Sequence, residues 1–79
     1  MDAEMENTIR ELSTIPGVSE KTAEGLYLLG MRSIDDLEGK IAEDIYAQLR
    51  ERRDFYAEPC MLNQLRIAIK MSSIKGGSN

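Results

Sequence analysis

Residues 15–22, Ile-Pro-Gly-Val-Ser-Glu-Lys-Thr, hold the densest set of groups suited to binding an anion. Gly17 permits a tight backbone turn, and Ser19 has the chemistry of a helix N-cap. A helix starting there presents N–H groups without intrahelical acceptors, at the positive end of its dipole, which is how helix termini hold phosphate. Lys21 adds a cation in the first turn and Thr22 a hydroxyl. The candidate phosphate contacts are therefore Gly17, Val18, Ser19, Lys21 and Thr22. The competing reading is a plain connector between two helices.

Arg50, Arg52 and Arg53 form the tightest run of bases in the chain. Arg52 and Arg53 extend the candidate set if both segments share one face. Otherwise the run is an ordinary helix C-terminus, where the dipole favours cations. Other chemistries are poorly supplied. With no His and a single cysteine, Cys60, a Ser-His-Asp triad, a Cys/His zinc site and an intrachain disulfide are excluded. A nucleophilic Cys60 would lack a His base, and a structural thiol is the alternative. Asp35, Asp36 and Glu38 lack calcium-loop spacing and suit the first turn of a helix. The expectation is a non-enzyme with no cofactor, no dedicated metal site and no small-molecule substrate.

Composition tempers the DNA reading. The net charge is -4 over 79 residues, with -5 on residues 1–40 and +1 on residues 41–79. An acidic chain gains little long-range attraction to nucleic acid, so a local basic patch must do the work. Aromatic residues are few (Phe55, Tyr27, Tyr46 and Tyr56, with no Trp), which argues against an extended base-stacking surface. The acidic start, Met1 to Glu6, resembles neither a signal peptide nor a membrane span, and a lone thiol suits a reducing cytoplasm.

The positioning elements follow from periodicity. Met5, Ile9 and Leu12 mark an amphipathic first helix, over about residues 3–13, that Pro16 and Gly17 end. A second helix runs from Ser19 to about Leu29, with Ala23, Leu26, Tyr27 and Leu29 inward and Gly30 closing it. Ser33 caps a short third helix bearing Ile34 and Leu37. A fourth reaches Arg53 with Ile45, Leu49 and either Ala42 or Tyr46 inward. Pro59 opens a fifth that ends near Ser73, with Leu62, Leu65 and Ile69 in its stripe and Met61 and Ala68 widening it. One all-α domain of five short helices is expected over residues 3–74, followed by a flexible tail at 75–79.

Leu12-x-x-Ile15-Pro16-Gly17-Val18-Ser19-x-x-x-Ala23-x-x-Leu26, followed by Leu29-Gly30-Met31-Arg32-Ser33-Ile34-Asp35-Asp36-Leu37, resembles a helix-hairpin-helix motif and its connecting helix. The continuation is also similar to the C-terminal domain of the competence regulator family. Over about residues 9–72 the chain resembles the small pathogenicity-locus family. The resemblance implies a pseudo-two-fold, SAM-domain-like pair of helical hairpins, the second degenerate because residues 54–58 contain no glycine. It also implies DNA-backbone contact through the first hairpin, and in some relatives a monovalent cation on hairpin carbonyls, here those of Ser13, Ile15 and Val18. The family's second hairpin glycine is Ser19 in this chain. The functional expectation is weak, sequence-independent DNA binding. The alternative is a protein-interaction adaptor that exposes Met31, Met61, Met71, Phe55 or Tyr56.

Overall fold

The structure is a computed structural model, and it describes residues 3–77. Four α-helices follow one another: α1 (Ala3–Leu12), α2 (Glu20–Leu28), α3 (Ala42–Glu51) and α4 (Cys60–Gly77), with no strand among the described residues. The all-α class holds, but the helix count is four rather than five. The expected third helix is a single 3-10 turn, Ile34–Leu37. Extended backbone at Ser33 and Glu38 leaves room for only four helical residues. The Asp36 carboxylate accepts the N–H groups of Arg32 at 2.8 Å and Ser33 at 3.3 Å, so the turn is closed by a side chain and needs no α-helical ladder.

α1 packs on α2, while α3 and the 3-10 turn pack on α4. Leu12, Leu26, Leu37, Ile45, Leu49, Met61 and Leu65 fill the shared core. On α4 the buried stripe is Met61, Leu65, Ala68 and Ser72, at helical spacing. Leu62 and Ile69, expected in that stripe, lie half-buried at its border. Ser72 enters the core by turning its hydroxyl onto the Ile69 carbonyl at 2.7 Å. α4 also outlasts its expected end. Nothing before Gly76 breaks its ladder, so the helix takes in three residues of the expected tail, and residues 78–79 lie outside the described residues.

Two features fix the orientation of α2. Gly30 (φ +97°) closes its C-terminus, with Met31 N–H on the Leu26 carbonyl at 3.0 Å and Gly30 N–H on that of Tyr27 at 2.9 Å. Arg32 then staples the end in place. Its guanidinium donates to Glu4 of α1 at 3.0 Å and to the Tyr27 carbonyl at 2.9 Å, and lies 4.0 Å from the Tyr27 ring centre. No helix among the described residues is long and apolar enough to cross a membrane.

Candidate functional site

The first connection, residues 13–19, is built from local hydrogen bonds. Ser13 N–H bonds the Ile9 carbonyl at 2.9 Å, Thr14 that of Glu11 at 3.2 Å and Ile15 that of Leu12 at 3.2 Å. Gly17, at φ +90°, reverses the chain, and Val18 N–H meets the Ile15 carbonyl at 3.1 Å. That bond occupies one of the two lone pairs of Ile15, a member of the carbonyl set implied for a cation. Among the described residues no three His, Cys, Asp or Glu side chains gather as a metal site. Ile15 and Val18 are buried between the helices. Ser19 stands at φ -81°, ψ 163°, where a side chain carries no penalty, so its place in the motif needs no glycine. Its hydroxyl accepts the Thr22 N–H at 3.2 Å as the N-cap of α2.

The anion seat that this turn would form is filled from within. Gln64 of α4 points its Oε1 at the α2 terminus, accepting Ser19 N–H at 2.9 Å and the Thr22 hydroxyl at 2.6 Å. Its Nε2 donates to Cys60 Sγ at 3.8 Å. Thr22 is 0 % exposed and Val18 only 6 %, so neither side chain faces a ligand. Glu20 and Lys21 keep the first-turn N–H groups that no intrahelical acceptor serves. Of the five expected contacts here, Gly17, Ser19 and Lys21 are at the surface.

The second connection, residues 52–59, turns without a positive-φ residue. Arg52 grips Asp54 through Nε at 2.9 Å and Nη2 at 2.8 Å, while Nη1 reaches the Leu28 carbonyl at 3.5 Å. This clasp holds the Asp54 carboxyl below its ordinary value and pushes the Arg52 guanidinium above its own. Arg52 is thus committed to the fold. Arg53 and Arg50 are exposed and enter none of the three ion pairs found among the described residues. Arg50 stands 5.9 Å from the Tyr46 ring centre.

Phe55 joins the two connections. Its ring is buried against α2 so closely that a Cβ on Gly25 would lie 2.8 Å from Phe55 Cζ and 3.0 Å from Leu49 Cδ2. Lys21 Nζ lies 5.1 Å from the centre of the same ring. The first turn of α2 thus meets the second connection at Phe55, and Phe55 lines an open groove of about 320 Å³ together with the three arginines, Tyr56 and Ala57. Tyr56 is 70 % exposed. Of the apolar residues considered for an exposed patch, Met31, Met61 and Phe55 are buried, while Met71 and Tyr56 are exposed.

Sequence reasoning missed Gln64, Gly25 and the ring of Phe55 because each acts across helices distant in the chain. The only local hint was a glutamine inside the apolar stretch of α4.

No curated protein and no solved structure matches the chain. A family model described as pathogenicity locus (Cdd1) matches residues 5–78, from α1 through α4, and the chain belongs to that family.

Proposed function

We propose that this chain is a non-enzymatic helix-hairpin-helix module that contacts DNA backbone weakly and without sequence preference. The contact uses Lys21, Arg50 and Arg53 around the second connection. The observation carrying this reading is Lys21 seated over Phe55, which sets the first turn of α2 beside the arginine-lined groove. The pairing of α1 with α2 and of α3 with α4 supports two related hairpin units, the second having lost the glycine turn. The similarity to the competence regulator domain belongs to the same reading.

Three free cations predict modest affinity. A Kd within about 10⁻⁴–10⁻⁶ M and a slope of log K against log salt near about -2.7 are expected. Higher affinity requires a second copy or a partner on the same DNA. Fluorescence anisotropy on a labelled duplex, titrated upward from about 50 mM salt, tests this. Lys21→Glu and Arg53→Glu should each weaken binding and flatten the slope by about one. Absence of binding at the lowest salt, or binding indifferent to both changes, would remove the DNA reading.

The adaptor reading retains one specific observation. Met71 and Ile74 are exposed one turn apart on α4, and Met71 edges a small apolar niche of about 160 Å³ with Ile15, Pro16 and Ile34. It predicts a partner that is lost on Ile74→Asp and kept on Lys21→Glu, read by crosslinking from position 71.

A further inference from the structure

We infer that the groove of the second connection takes DNA with an unpaired base, and that Tyr56 is the residue that stacks on it; this rests on the DNA reading above. A tyrosine 70 % exposed in a chain of this size is an apolar ring left in water. It does not stand alone on the surface. It lines the same groove as Arg50, Arg52 and Arg53, so one ring and three guanidinium groups border one space. That combination serves a nucleotide, with the Tyr56 ring against a base face and Arg50 and Arg53, which enter none of the ion pairs among the described residues, against its phosphates. The platform is firm. Arg52 is held at three points by Asp54 and the Leu28 carbonyl, and the adjacent Phe55 is buried against Gly25 and Leu49. Tyr56 is thus carried on an anchored segment.

A continuous duplex cannot use this ring. Its base faces are already stacked on one another, and only phosphates, sugars and the groove edges of the bases are offered to an approaching protein. A single-stranded stretch, an overhang or a bulge presents a free face. The low aromatic content excludes a long stacking track, and a single ring needs only one base. A groove of about 320 Å³ suits one nucleotide.

The experiment compares a blunt duplex with the same duplex bearing a short thymine overhang, by anisotropy at low salt, for the full chain. Wild type should prefer the overhang by about five- to tenfold, the lower part of the range for stacking one base on an aromatic ring. Tyr56→Ala should erase that preference, while Tyr56→Phe should keep it. Equal affinity of wild type for the two DNAs would overturn this inference and leave the backbone reading standing. A preference that survives Tyr56→Ala would also overturn it. Binding to neither DNA would overturn both. Circular dichroism of Tyr56→Ala must match wild type, as expected for an exposed side chain outside the helices.

Discussion

The connection over residues 13–19 bends at Gly17 and turns its polar groups inward, onto its own helices and onto Gln64. The connection over residues 52–59 has no glycine and bends around a side-chain clasp, Arg52 on Asp54, which leaves Arg50, Arg53 and Tyr56 facing solvent. The segment whose sequence resembles a known motif is thus the better satisfied internally, and the segment without such a resemblance is the more open to a ligand. A motif records how a backbone folds. What it binds depends on which donors remain unused after folding, and that is decided by residues elsewhere in the chain.

Phe55 is where the two connections meet, so removing it should have the largest effect. Phe55→Ala deletes a buried ring that touches α2 and α3, and a loss of about 3–4 kcal/mol is expected, read as a shift in the urea midpoint. If the midpoint hardly moves, the second connection is not anchored to α2 and the junction at Phe55 dissolves. Gly25→Val attacks the same contact by overfilling it. With a Cβ already 2.8 Å from Phe55 Cζ, the added methyls must displace the ring or the helix, at about 2–3 kcal/mol. The helix propensity regained on replacing glycine is smaller than this cost.

These residues also show where reading a sequence runs out. Pro16, Gly17, Ser19 and Gly30 were legible because their constraints are local: φ, a missing N–H and a capping hydroxyl act within a few positions. Whether Ile34–Leu37 forms an α-helix or a 3-10 turn depended on one side-chain clasp in a four-residue segment, and pattern alone does not resolve that. Gly25 carries no local signal of its use, which is to admit a ring thirty residues away. Gln64 reaches Ser19 across 45 positions, a distance at which periodicity carries no signal. The basic groove was half legible. Its arginines were visible as a run, but the clasp that withdraws Arg52 from ligand contact was not.

Gln64 offers the sharpest test of the comparison. Gln64→Ala strips the acceptor from the Ser19 N–H and from the fully buried Thr22 hydroxyl, with an expected cost of about 1–2 kcal/mol. In a domain of this size that lowers Tm by roughly 4–16 °C. The same variant opens the α2 terminus. DNA affinity should stay level, because the groove of the second connection supplies the contact. A clear gain in affinity would instead show that the first connection is an anion seat held shut by Gln64, and the contrast between the two regions would reverse. Gly17→Ala should be milder still. A Cβ there lies 3.4 Å from Ile67 Cδ1, an ordinary contact, so the remaining cost is the positive φ, about 1 kcal/mol in a denaturant titration.

The smallest effect belongs to the clasp of the second connection, and its sign follows from the direction of one shift. The hydrogen bond from Arg52 holds the Asp54 carboxyl below its ordinary value near 3.8 in the folded chain. A carboxyl whose folded pKa is depressed contributes stability that is complete above the unfolded value. That contribution is lost as pH falls through the folded value. At neutral pH the clasp is therefore fully formed, and its loss is confined to strongly acidic solution. Exposure and salt screening keep the contribution slight. Carboxyl NMR titration should place the Asp54 midpoint below that ordinary value, and Arg52→Gln should move it upward. Glu43, held low by Arg66 on a different face, should stay put in that variant and so serves as the internal control. An Asp54 midpoint unmoved by Arg52→Gln would mean that the connection turns without its clasp. Arg52 would then join Lys21, Arg50 and Arg53 as a fourth free cation, and the salt slope of DNA binding would steepen by about one.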